Sequence, residues 1–226
     1  MNKVEAMEEL IKLIEQEGLV VIMRGVDPER SVKVAEALVK GGVKLLEVTF
    51  DPSDPDTAEK TASVIARIAE EFDGRLTMGA GTVIRPEYVK AAKNAGAKYI
   101  ISPNVDPEII KLTKELGMLS MPGAYTPSEC MNALNAGADI VKLFPTTVQD
   151  IGYIINISRP LSHMKYLCTG GVTDENAAVK FLEAGAIAVG TGLSIINPEM
   201  VKNEDYDGTA ELARRHVEAI KAFKNR

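Results

Sequence analysis

Short apolar runs alternate with longer amphipathic segments along the whole chain. The apolar runs predict strands over residues 19–24, 44–50, 75–79, 98–102, 118–121, 139–144, 164–168 and 186–190. The amphipathic segments predict helices over residues 4–17, 29–41, 56–72, 86–95, 106–116, 127–136, 149–157, 174–184 and 208–223. Because the runs are short and almost wholly apolar, they are typical of parallel strands covered on both faces.

A glycine separates most predicted helices from the next strand, at Gly42, Gly74, Gly96, Gly117, Gly137 and Gly185. Such a glycine is typical of a helix C-terminus. Eight strand–helix units with an extra N-terminal helix predict an α/β fold, a (β/α)8 TIM barrel in a single domain over residues 1–226. An open doubly wound sheet also alternates strands and helices. The number of units in so short a chain favours the closed barrel.

Composition narrows the possible partners. The chain has 226 residues and a net charge of −6 without basic runs, which argues against nucleic acid or an anionic membrane surface as a partner. No apolar run approaches the ~20 residues of a membrane span, and the N-terminus is unlike a signal peptide. We therefore expect a soluble, cytoplasmic protein.

Metal chemistry is not expected. Cys130 and Cys168 lack metal-ligand spacing and are expected to be reduced thiols. His163 and His216, the two histidines, do not fall at the C-terminal ends of predicted strands and have no carboxylate cluster nearby.

Two ionisable residues interrupt the apolar strands. Lys142 lies late in the run 139–144, and Glu47 lies late in the run 44–50. Alternation along a strand places Lys142 and Glu47 on the faces opposite their aliphatic neighbours, so both are predicted to point into the barrel mouth. By contrast, Lys44, Lys98 and Lys165 fall at strand starts, on the other end of the barrel.

A buried amine beside a carboxylate indicates Schiff-base chemistry on a carbonyl substrate. Burial lowers the pKa of a lysine, whereas a nearby ionised glutamate raises it, and the sequence does not decide between the two. Glu47 is a candidate for moving protons between nitrogen, oxygen and carbon. The alternative is a buried ion pair with a purely structural role.

Glycine-rich turns are predicted after three strands, at residues 79–82, 168–171 and 190–192. Loops after strands seven and eight of such barrels commonly bind phosphate, because their free backbone N–H groups can surround an anion. A tight turn is the alternative for each of them. Arg24, at the end of the first strand, can hold a carboxylate or phosphate, or can be an ordinary surface arginine.

Taken together, these motifs resemble a known family, the 2-keto-3-deoxy-6-phosphogluconate (KDPG) / 4-hydroxy-2-oxoglutarate (KHG) aldolases, which are class I pyruvate-dependent aldolases. The similarity extends from about residue 4 to 222. It rests on an ordered set: Leu46-Glu47-Val48-Thr49, Gly79-Ala80-Gly81-Thr82-Val83, Ser102-Pro103, Met121-Pro122-Gly123, Lys142-Leu143-Phe144-Pro145 and Thr169-Gly170-Gly171-Val172.

The resemblance implies a lyase of carbohydrate metabolism, usually a homotrimer, that needs no metal or organic cofactor. It implies that Lys142 forms the Schiff base and Glu47 acts as acid and base. Arg24 and Thr82 would hold the carboxylate of a small keto acid. Other implied roles are lining of the pocket by Pro103, Phe144 and Thr169 and binding of phosphate by Gly170, Gly171, Gly190 and Gly192.

Three residues depart from what is common in that family. Asp51 stands where many members carry an arginine, Leu193 precedes Ser194 where Gly-Ser is usual, and Cys168 replaces a proline. The first two leave the substrate open among phosphogluconate, phosphogalactonate and hydroxy-oxoglutarate types. A phosphosugar isomerase or epimerase and a non-catalytic phosphosugar-binding barrel are the rival functions, although neither requires Lys142 together with Glu47.

Overall fold

The computed structural model describes residues 3–146 and 151–226, in which parallel strands alternate with helices. The strands are β1 Leu19–Met23, β2 Leu45–Thr49, β3 Thr77–Gly81, β4 Tyr99–Ile101, β5 Leu119–Met121, β6 Gly123–Ala124, β7 Val141–Leu143, β8 Tyr166–Thr169 and β9 Ala188–Thr191. The helices are α1 Lys3–Glu17, α2 Pro28–Lys40, α3 Thr57–Glu71, α4 Pro86–Asn94, α5 Pro107–Glu115, α6 Pro127–Asn135, α7 Ile151–Ser158, α8 Glu175–Glu183, α9 Pro198–Lys202 and α10 Tyr206–Lys224.

The strands form one sheet in the order β5-β4-β3-β2-β1-β9-β8-β7-β6. β5 and β6 are two halves of one strand that pair with different neighbours, β4 and β7. Pro122 separates them, because proline has no N–H to donate to a sheet ladder. The segment 119–124 therefore closes the sheet into a barrel, and the predicted (β/α)8 fold with an extra N-terminal helix is confirmed.

Local sequence explains the helix boundaries. Asp27, Asp106 and Asp174 accept hydrogen bonds from backbone N–H groups at the starts of α2, α5 and α8. Thr126 and Glu129 form a capping box at α6. All six glycines predicted at helix ends have positive φ, from 69° at Gly74 to 102° at Gly185, which is the conformation that glycine adopts without strain.

Two apolar layers surround the strands. The outer layer joins the outward faces of the strands to the helices. The inner layer fills the barrel interior with Val20, Leu45, Tyr99, Ile101, Leu119, Met121, Ile140, Leu167 and Ala188. Ile14 of α1 belongs to the inner layer, so the extra helix closes the barrel at the N-terminal ends of the strands.

Several predicted boundaries are wrong. β3 is Thr77–Gly81 and not 75–79, so Gly79 and Gly81 are strand residues rather than turn residues. Gly190 likewise lies within β9. The short helix α9 was not predicted. The start of the predicted helix 149–157 lies outside the described residues.

Candidate active site

Lys142 and Glu47 both lie on the inner face of the barrel, as alternation along the strands predicts. Glu47 is in the middle of β2, and its neighbours Leu46 and Val48 belong to the outer layer. Lys142 is in the middle of β7, and its neighbours Val141 and Leu143 also belong to the outer layer. The side chains of Glu47 and Lys142 therefore face each other across the barrel interior.

Burial controls the electrostatics of this pair. Glu47 is 2% exposed and Lys142 is 7% exposed. Loss of water raises the pKa of the Glu47 carboxyl, although the positive charges of Lys142 and Arg24 oppose that rise. Loss of water lowers the pKa of the Lys142 amine, Glu47 opposes that change, and Arg24 reinforces it. Both groups are thus shifted toward their uncharged forms.

The two groups interact through space without a direct ion pair. No carboxylate oxygen of the described residues lies within 4.0 Å of Lys142 Nζ. The amine instead lies 4.6 Å from the centre of the Phe144 ring. A purely structural ion pair would bring the charges into contact, whereas this arrangement leaves the amine available to a carbonyl compound.

Arg24 and Thr82 meet at the mouth, although they are 58 residues apart. Arg24 Nη2 donates a hydrogen bond of 3.0 Å to Thr82 Oγ1. Thr82 has a φ of 57°, which is strained for a β-branched residue. Such strain is typical of functional sites, where surrounding structure holds a side chain in a required position. The exposed guanidinium of Arg24 is able to receive an anion.

Pro103 and Phe144 line a cavity of about 640 Å³ at the rim over β4 to β7. Its wall also includes Gly123, Ala124 and Tyr125 and reaches residues of α6. Lys142 and Glu47 lie deeper and are not part of this wall. Phe144 is the residue common to the two places, because its ring lines the cavity and also lies beside the Lys142 amine.

Thr169 ends β8, and its buried Oγ1 has no hydrogen-bond partner among the described residues. Gly170 and Gly171 follow with φ of 89° and 65°, and only glycine adopts two such values in succession without strain. Thr146 Oγ1 donates to the Thr169 carbonyl at 3.0 Å and also to the Gly170 carbonyl. This hydroxyl ties the chain after β7 to the turn after β8.

Gly190 and Gly192 have different positions. Gly190 pairs within the sheet, and a Cβ there would lie 2.6 Å from Thr169 Oγ1, so this glycine makes room for the threonine. Gly192 follows β9. The backbone N–H groups of Gly170, Gly171, Gly192 and Leu193 donate to no described residue. The two turns thus present, at adjacent strand ends, N–H donors that no described residue uses.

Two of the unusual residues are located at the mouth. Leu193 is 76% exposed at the turn after β9. Ser194 points away, because its hydroxyl contacts Thr191 Oγ1 at 2.7 Å and His216 Nε2 at 3.2 Å. Asp51 follows β2, which is separated from β9 by β1 alone, and hydrogen bonds from Ser53 lower the pKa of its carboxyl. The third unusual residue, Cys168, is buried in β8.

The sequence analysis did not identify the inward-facing residues that surround Glu47. A Cβ at Gly81 would lie 1.5 Å from Glu47 Oε1, and a Cβ at Gly79 would lie 2.0 Å from the Tyr99 ring. The two glycines are separated by one residue, which is the strand period, and this was the available signal. Tyr99 alternates with Ile101 in the same way, so its inward position was also open to prediction.

In the part of the chain that the structure covers, no cluster of three or more His, Cys, Asp or Glu side chains is arranged to hold a metal. Within the same residues, no helix is both long and apolar enough to cross a membrane.

The sequence model of the family described as "Aldolase: KDPG and KHG aldolase" matches residues 10–212. A probable 2-dehydro-3-deoxy-6-phosphogalactonate aldolase from Rhizobium meliloti is 33% identical over 183 residues, which is 80% of this chain and 83% of that protein. The KHG/KDPG aldolase of Escherichia coli is 31% identical over 194 residues, which is 85% of this chain and 87% of that protein.

Among solved structures, the KDPG aldolase of Legionella pneumophila, with pyruvate captured at low pH as a covalent carbinolamine intermediate, superimposes with a TM-score of 0.79. The two sequences are 27% identical, and the match covers 89% of this chain and 95% of that chain.

Proposed function

Because the chain belongs to the KDPG and KHG aldolase family, we propose that it cleaves a 2-keto-4-hydroxy acid reversibly through a Schiff base on Lys142. Its relatives are named aldolases, so the protein is an enzyme of the lyase class. The observation that carries the proposal is the buried Lys142 amine, which has no carboxylate of the described residues within 4.0 Å. Burial lowers its pKa, which favours the uncharged nucleophile.

The bond changes follow from that amine. Lys142 Nζ adds to the C2 ketone to give a carbinolamine, and loss of water gives an iminium ion. The C3–C4 bond then breaks, its electron pair moves into the iminium, and the C4 hydroxyl loses its proton to become an aldehyde. The enamine that remains takes a proton at C3, and hydrolysis releases pyruvate and the free lysine.

Glu47 is proposed to carry the protons. Its carboxyl group is buried near the amine, and burial raises its pKa, which makes it a better acceptor of a proton than an exposed carboxylate. Such a positioned group typically contributes about 10²–10⁴-fold to the rate. Transfer can be direct or through one water.

Arg24 and Thr82 are proposed to hold the substrate carboxylate. Their hydrogen bond of 3.0 Å brings a guanidinium and a hydroxyl to the same edge of the mouth. Phe144, Pro103 and Thr169 would enclose the pyruvyl part, with Phe144 already beside the amine.

A phosphate group is proposed to bind at the turns after β8 and β9. Its support is that the N–H groups of Gly170, Gly171 and Gly192 donate to no described residue, whereas Gly190 contributes space for Thr169. With a phosphorylated six-carbon substrate the products would be pyruvate and glyceraldehyde 3-phosphate. Leu193 supplies no hydroxyl and Asp51 is anionic, and these two residues favour the non-phosphorylated hydroxy-oxoglutarate substrate as the second candidate. The homotrimer and the single-domain organisation stay predictions.

Borohydride trapping with pyruvate tests the Schiff base. We expect one pyruvyl adduct per chain by intact mass, located on Lys142 by peptide mapping. Lys142→Ala should give no adduct and should lose cleavage activity. Lys98→Ala is the matched control, because Lys98 is exposed at the opposite end of the barrel and should not affect trapping. A folded Lys142→Ala variant with near-normal turnover would contradict the proposal.

A further inference from the structure

The barrel interior contains a tyrosine hydroxyl for which the proposed reaction has no use. Tyr99 is fully buried among apolar side chains of the inner layer, and its OH has no partner among the described residues. Glu47 Oε2 is buried and unpartnered in the same way. Buried polar atoms nearly always find a hydrogen-bond partner, in the protein or in ordered water. A phenylalanine would fill the same space without burying a hydroxyl.

The two unpartnered groups come from different strands, β4 and β2, but both cover the inner face of β3. The Tyr99 ring covers Gly79, since a Cβ there would be 2.4 Å from the ring atom Cζ, which bears the hydroxyl. The Glu47 carboxylate covers Gly81, the next inward-facing position of β3. Two residues of a strand span about 6.6 Å. The positions covered by the Tyr99 ring and the Glu47 carboxylate are therefore farther apart than one hydrogen bond. Their separation is close to the roughly 5.6 Å that two hydrogen bonds through one water can bridge.

We propose that Tyr99 is a positioning residue for Glu47, to which its hydroxyl donates through one buried water at Oε2. The inference rests on the proposed function, because it assigns Tyr99 to the acid–base step of that reaction. The charged and titratable groups that act on Glu47 are Lys142 from β7, Arg24 after β1 and Tyr99 from β4. Tyr99 is the uncharged one among them and the one beneath the carboxylate on the closed side of the site.

The Tyr99 hydroxyl should lower the pKa of Glu47, because it acts as a hydrogen-bond donor to the carboxylate. Burial, with a smaller contribution from the Glu47 charge, raises the pKa of the Tyr99 phenol well above its ordinary value. The group therefore stays protonated and can only donate to an ionised carboxylate. Hydrogen bonds to the charged form of an acid lower its pKa. Tyr99 thus opposes the rise in the pKa of Glu47 that burial produces, and keeps the carboxylate available as a base.

Exchange of the pyruvate methyl protons with D₂O, followed by NMR across pH, tests this role. Exchange requires the Schiff base and a base at C3, without any aldehyde partner. For Tyr99→Phe we expect the acidic limb of the exchange profile to move up by about 0.5–1 pH unit, so that exchange on that limb falls about three- to tenfold. At the alkaline plateau the rates of the variant and the wild type should agree within about twofold.

Tyr206→Phe is the matched control, because Tyr206 also has a buried hydroxyl without a described partner, but on α10 outside the barrel. It should leave the limb in place. An unmoved limb in Tyr99→Phe would overturn the proposal whatever happens to the melting temperature, since a purely structural role changes stability and not the profile. If the proposed function itself were wrong, the wild-type protein would exchange no pyruvate methyl protons at any pH, which distinguishes that result from an unmoved limb in Tyr99→Phe.

Discussion

Two inward-facing glycines of β3 provide the space in which the ionisable groups of the barrel lie. Gly79 accommodates the Tyr99 ring and Gly81 accommodates the Glu47 carboxylate. Glu47 pairs with Gly79 in register, and the pair of Gly79 on its other side is Tyr99. A side chain at either glycine would displace the larger group opposite. The absence of a Cβ on one strand is therefore what positions functional atoms on its neighbours.

Gly81→Ala should displace Glu47 and reduce both activity and stability. The new Cβ would lie 1.5 Å from Oε1 and 2.4 Å from Cδ of Glu47. Overpacking of this kind costs about 1–3 kcal/mol, and a catalytic group displaced by about 1 Å can lose 10²-fold in rate. Urea unfolding and pyruvate proton exchange measure the two effects.

A double-mutant cycle with Glu47→Ala identifies the cause. If the clash is with Glu47, the free-energy cost of Gly81→Ala should largely disappear in the Glu47→Ala background, because the opposing side chain is gone. An unchanged cost would show that the alanine is rejected by the backbone or by another residue.

The turn after β9 is held from behind by the last helix. His216 Nδ1 donates to Leu212 O at 2.8 Å, because a carbonyl oxygen only accepts, and His216 Nε2 lies 3.2 Å from the Ser194 hydroxyl. Ser194 also contacts Thr191, which donates to the Val172 carbonyl at 3.1 Å. This chain of contacts joins α10, β9 and the segment after β8, and it explains why Ser194 is turned away from the mouth.

Ser194→Ala should destabilise the fold by about 1–3 kcal/mol, because it leaves His216 Nε2 buried without its partner. The free energy of unfolding in urea measures this change. Ser128→Ala is the control, since Ser128 is exposed on α6 and should change stability by less than about 0.5 kcal/mol. A loss in Ser194→Ala no larger than in the control would mean that the contacts with His216 do not support the turn.

The molecule as a whole separates two kinds of charge. Ion pairs such as Lys60–Asp54 and Lys33–Glu204 lie on the exposed outer surface, where each contributes little. Inside the barrel, Glu47 and Lys142 are buried and do not form a direct ion pair with each other. Their charges reduce global stability, and the fold tolerates them because two apolar layers and the closed sheet supply the rest of the folding free energy.

Glu47→Gln should therefore stabilise the protein at neutral pH while slowing pyruvate proton exchange. The folded-state pKa of Glu47 is raised above its ordinary value of 4.5. The stability that the protonated carboxyl gives to the fold is therefore fully present below that pH and is lost as the pH rises through the folded-state pKa. Glutamine resembles the protonated acid at every pH. We expect the variant to gain about 1 kcal/mol or more near pH 7 and to match the wild type near pH 4.

Urea unfolding at a series of pH values measures this difference. Glu59→Gln, at an exposed position of α3, is the control and should show no comparable trend. A difference between Glu47→Gln and the wild type that does not change with pH would exclude a raised pKa as its origin.

Much of this architecture could be predicted from the chain because the signals are local. Glycines with positive φ end the helices, and the apolar runs are the strands. Predicted element boundaries are wrong where a glycine is required by a side chain from another part of the chain and not by a turn. Gly79 and Gly190 look like turn residues in the sequence, yet they are strand residues whose missing side chains make room for Tyr99 and Thr169.

The sequence by itself determined the elements, the barrel and the faces on which Glu47 and Lys142 lie, since all three follow from the period of side chains along a strand. Only the tertiary structure decided that the two charges avoid direct contact, that Arg24 meets Thr82, that Tyr99 lies beneath Glu47 and that Ser194 turns to His216. Each of these depends on the register and closure of strands far apart in the chain. Such distances are set by packing around the whole barrel and by no local pattern.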